Sequence, residues 1–109
     1  MGLARSGLVE LPTVPGLCRH NGHLFYLKVR DLDQRGSLID HLKADGVHAV
    51  FHYVPLHSAP AGLRFGRLCG TDTFTTRESD RLLRLPLWYG LDEAITDHVV
   101  QSVKHFFSA

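Results

Sequence analysis

The sequence lacks several features that would assign it at once. It has no apolar run approaching the ~20 residues of a membrane span, and its N-terminus lacks the apolar core of a signal peptide. It lacks net charge: twelve Lys plus Arg face eleven Asp plus Glu, giving +1. No strong field therefore draws nucleic acid or anionic lipid. Arginine outnumbers lysine, but the arginines are scattered and form no run. Cysteine is scarce, with only Cys18 and Cys69 and no Cys-x-x-Cys spacing. A disulfide stays open, although two such thiols in a chain of this character are more often reduced. These absences predict a cytoplasmic protein without a membrane or nucleic-acid partner.

What is present is an ordinary globular composition, 44% hydrophobic and 21% charged over 109 residues. That length supports one domain and one modest core. Residues 1–22 read as an extended lead-in or linker, because Pro12, Pro15 and Gly16 forbid helix there. Met1 to Gly7 show no period. The domain proper is read over 23–109.

Alternation predicts a first strand over 23–30, with His23, Phe25, Leu27 and Val29 on one face. A helix follows over 34–44, with Asp33 as N-cap, Leu38, Ile39 and Leu42 on one face, and Asp45-Gly46 as its stop. A second strand covers 47–54 and ends at Pro55. Strand, helix and strand together have the size of a βαβ unit with a right-handed crossover. Residues 61–74 read as a loop. Thr75-Thr76-Arg77-Glu78 has the capping-box pattern and predicts a helix over 75–84 anchored by Leu82 and Leu83. A third strand is expected at 85–89, irregular or at an edge because of Pro86. The last helix, 93–107, is capped by Asp92 and carries Ile95, Val99, Val103 and Phe106 as its apolar stripe, which makes it the expected main contributor to the core. The fold class is α+β, a small three-stranded sheet with packed helices in the order β-α-β-α-β-α.

The stretch VHAVFHYVPLHSAPAG organises this plan. A strand runs into a loop stiffened by Pro55 and Pro60 that carries His57, with His52 and Tyr53 just before it. Loops on a rigid scaffold often hold binding residues. A solvated histidine behind a terminated strand explains the same letters, and the residues leave both readings open. His48 and His52 would sit about 13 Å apart along a strand, too far for shared ligation. His20 and His23 supply two ligands at most, so no metal site is expected. There is no Gly-x-Ser-x-Gly elbow, and neither cysteine sits at a strand-to-helix turn near a histidine. Gly62, Gly66 and Gly70 are too loosely spaced for a phosphate cradle.

Three runs go further. NGHLFYLKVRD, VFHYVPLHSAPAG and TTRESDRLLRLPLWYGL resemble, in order and spacing, the C-terminal end of sugar-nucleotide aminotransferases of the DegT/DnrJ/StrS type, which use pyridoxal phosphate. The resemblance covers the chain from about Leu11 to Phe107. It implies the C-terminal small domain of a fold-type I pyridoxal-phosphate enzyme. It also implies a keto-deoxy dTDP-sugar as substrate, glutamate as amino donor, and a place in cell-surface polysaccharide synthesis. The family's large domain, which holds the cofactor and the aldimine lysine, is the implied missing partner. Lys28, Lys43 and Lys104 are the only lysines, and none matches the family's lysine motif. The chain alone is therefore expected to bind no cofactor and to have no catalytic residue. His57 matches the loop histidine that points toward the active-site cleft, and His52 and Tyr53 are expected to line the same cleft. Two other readings stand beside this one. One is a stand-alone binding module that keeps the fold without catalysis. The other is a folded piece whose bare interface makes it a homo-oligomer.

Overall fold

The computed structural model describes residues 2–108, so Met1 and Ala109, the outer limits of the two segments read above, lie outside the described residues. Strand β1 spans Phe25–Lys28 and helix α1 Leu32–Ala44. Strand β2 is only Val50–Phe51, and a 3-10 turn follows at Leu56–Ser58. Helices α2, Pro60–Phe65, and α3, Thr75–Arg81, lead into β3, Leu82–Leu85. Helix α4 is Glu93–Phe106. The α+β class with a three-stranded sheet holds, with four helices rather than three.

The sheet order is β1-β3-β2, and β3 is antiparallel to both neighbours. The expected βαβ unit is thus split: β1 and β2 run parallel to each other with β3 between them. The third strand, expected at 85–89 and irregular or at an edge, is instead Leu82–Leu85 and central in the sheet. Leu82 and Leu83 are strand residues, not helix anchors, and Leu83 sits opposite both Leu27 and Phe51 at the centre of the sheet. Pro86 has no N–H to give and marks where the ladder stops. The second strand is shorter than 47–54 because only Val50 and Phe51 find partners on the short β3.

Core and caps follow from local chemistry. Asp31, not Asp33, caps α1; its backbone is extended and its carboxylate accepts from the Gln34 N–H at 2.9 Å. Asp33 falls in the first turn, where its charge still complements the helix dipole. The stop at Asp45-Gly46 holds, with Gly46 in the left-handed region at φ 76°. Asp92 caps α4 as expected, accepting from the Ile95 N–H at 2.7 Å.

The core lies on one face of the sheet. Leu38 and Leu42 of α1 and Leu83 of β3 are fully buried, and Leu27, Val29, Val47 and Ala49 join them. Of the apolar residues of α4 only Val99 and Val103 are buried, with Ser102 between them, while Ile95 is 40% exposed. The core is therefore shared, with α1 supplying its centre rather than α4. Each fully buried leucine contributes about 1.5–3 kcal/mol.

Within the lead-in, Val9 is buried in the core, and Glu10 bridges Lys28 by paired backbone hydrogen bonds. The contact is reinforced by charge. Lys28 Nζ lies 3.3 Å from Glu10 and 2.8 Å from Glu78, and Arg81 also pairs with Glu10. The Arg81 and Lys28 partners hold the Glu10 carboxyl below its ordinary range, and Lys28 and Arg77 do the same for Glu78.

Candidate functional site

The loop after β2 is built by proline. Pro55 opens the 3-10 turn, and Pro60 stands at the first position of α2, where a missing N–H costs nothing. The stretch expected as loop therefore begins with a short helix. Gly62 faces the turn so closely that a Cβ there would sit 1.6 Å from the Leu56 carbonyl oxygen. The two turns are thereby packed back to back, and His57 projects from their junction.

His57 is clamped. Its Nε2 lies 2.9 Å from Asp72 Oδ2 and 3.3 Å from the Thr76 hydroxyl. The side chains of His57 and Asp72 are only 21% and 19% exposed. Asp72 also accepts from the Thr76 hydroxyl and, at 3.3 Å, from the Thr76 N–H. These Thr76 bonds, then the neighbouring His57, hold the Asp72 carboxyl below its ordinary range.

This arrangement replaces the expected capping box. Phe74 is the N-cap without a side-chain bond, Thr75 is already helical, and Glu78 turns away to Lys28. Asp72 does the capping from further upstream. Sequence reasoning missed Asp72 and Thr76. The available signal was an Asp two residues before the N-cap in GTDTFTT, a residue type suited to orphan N–H groups at a helix start.

Nε2 of His57 is committed to Asp72, while its Nδ1 makes no hydrogen bond among the described residues. Beside it lies a hollow of about 490 Å³ lined by Leu56, His57, Gly62, Phe65, Leu68 and Cys69, among others. Its walls are open, since Leu56 and Phe65 are 75% and 78% exposed. Cys69 and Cys18 are both free and exposed, so the two do not pair.

The structure does not bring the three expected residues into one cluster. His52 packs edge-on against Tyr53, with ring centres 4.7 Å apart, and both are exposed. The Tyr53 carbonyl accepts from Ser79 Oγ at 2.6 Å, and the Arg84 guanidinium lies 6.0 Å from the Tyr53 ring centre. Arg84 was also missed by sequence reasoning. It reads as one more scattered arginine until the register places it mid-sheet.

The three lysines are equally plain. Lys28 is held as an ammonium by Glu78, then Glu10, which push its pKa up. Lys43 and Lys104 are exposed on α1 and α4. Among the described residues, no group of three His, Cys, Asp or Glu side chains could hold a metal ion, and no helix is long and apolar enough to cross a membrane.

Residues 2–104 match the DegT/DnrJ/EryC1/StrS aminotransferase family. The fold resembles the aminotransferase TlmJ from Streptoalloteichus hindustanus, with TM-score 0.75 and 21% identity, covering 93% of this chain and 26% of that one. It resembles a DegT DnrJ EryC1 StrS aminotransferase from Brucella abortus, with TM-score 0.73 and 23% identity over 97% of this chain and 28% of that one. It also resembles NtdA from Bacillus subtilis, solved with bound cofactor PMP, with TM-score 0.76 and 23% identity over 98% of this chain and 25% of that one. Likeness at these identities establishes the fold, and the chain spans about a quarter of the length of these enzymes. The family match runs through every strand and nearly all of the last helix, and the chain belongs to the DegT/DnrJ/EryC1/StrS aminotransferase family.

Proposed function

We propose that this chain is the C-terminal small domain of a pyridoxal-phosphate aminotransferase that acts on a 4-keto-6-deoxy nucleotide sugar with glutamate as donor. In this reading the substrate is dTDP-4-oxo-6-deoxy-D-glucose, and the product enters cell-surface polysaccharide synthesis in the cytoplasm. The supporting observation is the family match over residues 2–104 on a chain that spans a quarter of the matched enzymes. The motif YVPLHSAPAG carries the narrower substrate class by resemblance.

The residues present do not fit the cofactor by themselves. A Schiff base needs an unprotonated lysine beside the ring. Lys28 is locked as an ammonium between two carboxylates, and Lys43 and Lys104 stand in solvent on helix surfaces. Gly62, whose Cβ position is filled by Leu56, leaves no backbone cradle for a phosphate. The lysine and the phosphate site therefore belong to the larger domain in this reading, and that domain covers the bare apolar wall around Leu56, Leu63 and Phe65. What this chain contributes in this reading is His57, fixed through Nε2 by Asp72 and Thr76, and His52 and Tyr53 along the edge of the cleft. Domain interfaces are favoured ligand sites.

The test is a titration with pyridoxal phosphate, following the aldimine absorbance, on this chain and on the full-length enzyme, each with and without a dTDP-sugar. An aldimine band only at full length supports the reading. A reducible aldimine on this chain alone would give Lys28, Lys43 or Lys104 a cofactor role and overturn it.

A further inference from the structure

We propose that Arg84, with His23 and His48, forms an oxyanion pocket on the open face of the sheet that takes a carboxylate. Alternation along β3 sends Leu83 into the core and Arg84 to the opposite face. There it lies between Tyr26 on β1 and Val50 on β2, its partners in register. No helix supplies it with an acid. Lys28, Arg30, Arg77 and Arg81 each pair with a carboxylate, whereas Arg84 has none within ion-pairing distance among the described residues. Its Nε is buried and has no hydrogen-bond partner. A guanidinium offers five donors in a planar fork and never gives up its charge. Burying part of that fork without an acceptor is costly, so native structures seldom leave it so.

The space beside it suits the missing acceptor. A hollow of about 210 Å³ is lined by Arg84, His23, His48, Val50, Pro86 and Leu87, with Leu24 and Leu85 completing the wall. No acidic residue lines it. Three nitrogen-bearing side chains over apolar flooring leave an oxyanion as the complementary group, and the planar guanidinium favours a carboxylate by bidentate pairing. That carboxylate comes either from a free amino acid or from an acidic side chain elsewhere in the full-length polypeptide. The pocket itself rests on the sheet register and the orphaned Nε, while an acid from elsewhere in the polypeptide rests on the reading of this chain as part of a longer enzyme.

The experiment is 15N NMR of the arginine Nε–H groups in the full-length protein, with Arg84 assigned through its loss in Arg84→Lys, and titration with L-glutamate and with inorganic phosphate. A saturable shift of the Arg84 signal with glutamate, weakened at least tenfold in Arg84→Lys, identifies a free ligand. A signal already slow in hydrogen exchange and unmoved by added anion, together with loss of stability in Arg84→Met, identifies an acid of the same polypeptide. A fast-exchanging signal that no anion moves, with Arg84→Met as stable as the parent or more so, overturns the proposal. That last outcome would leave the aminotransferase reading untouched, because the aldimine titration does not depend on Arg84.

Discussion

The sheet with α1 and α4 and the arm from His52 to Phe74 are made on different terms. In the first, three leucines are fully buried and seven further apolar residues close around them. In the second, no residue at all is buried, and Leu56, Leu63 and Phe65 stand mostly in solvent. The arm holds its shape through two prolines, the tight approach at Gly62 and the His57–Asp72–Thr76 contacts. One region is ordered by burying apolar surface, the other by stiff backbone and a polar clamp. An arm ordered in that way has apolar area left to give to whatever covers it.

The sharpest way to break this contrast is to truncate one large side chain in each region. Leu83→Ala should cost about 3 kcal/mol in urea unfolding, since it removes a central core side chain. Phe65→Ala in the same chain should stay within about 0.5 kcal/mol. A comparable cost at both sites would mean that the arm is packed after all. If the larger domain proposed above covers the arm, the contrast should narrow in the longer protein, with Phe65→Ala costing about 2 kcal/mol there.

A second test breaks the arm without touching the core. Gly62→Ala would drive a methyl group into the Leu56 carbonyl, so the 3-10 turn and α2 must part. The Leu63 and Gly66 amides, which donate to Ala59 and Gly62, should lose hydrogen-exchange protection. His57 should lose its contact with Asp72, while the urea midpoint moves by no more than about 0.5 kcal/mol equivalent. A cooperative loss of the whole fold would show that arm and core are one unit. A third change belongs to the core side. Asp92→Ala should cost about 1 kcal/mol by removing the α4 N-cap, with the arm's exchange unchanged.

The same contrast explains what could be read in the sequence. Helix α1 and helix α4 were legible because their apolar spacing follows a simple period, and the stop at Asp45-Gly46 and the N-cap at Asp92 hold. The boundary between α3 and β3 was not. Arg81 and Leu82 change from helix to strand with no intervening turn, so neither Gly nor Pro announces it. Thr75 and Glu78 match a capping box, but Lys28, fifty positions away, claims Glu78 at 2.8 Å. A tertiary ion pair overrode a local signal. In the site, His57 was legible as a loop histidine, whereas its partner Asp72 lies across the bare arm, and Arg84 gains meaning only from the register of β3. Periodicity reports burial, and the arm has none to report.

The smallest predicted effect concerns acid, and it should separate the regions once more. Asp72, Glu10 and Glu78 all have folded-state pKa values below their ordinary ones, lowered chiefly by Thr76, by Arg81 and by Lys28 respectively. A depressed carboxyl contributes stability that is present above its unfolded value, about 3.9 for Asp and 4.3 for Glu, and that is lost as pH falls through the folded value. From pH 7 down to about 5 the arm and the lead-in should therefore keep their protection. Below about 4, protonation releases Thr76 and His57 from Asp72, and Lys28 and Arg81 from Glu10 and Glu78. The amides of Thr76 and of the Glu10–Lys28 bridge should then exchange faster, before those of Leu42 in α1 or Val103 in α4. These carboxylates are partly solvent-exposed, so 0.5 M salt should weaken the Glu10 and Glu78 contributions and leave the leucine core unaffected. Exchange rates measured residue by residue between pH 3 and pH 7 decide it. Simultaneous loss in all four places would mean that the carboxylates hold the whole domain rather than its edges.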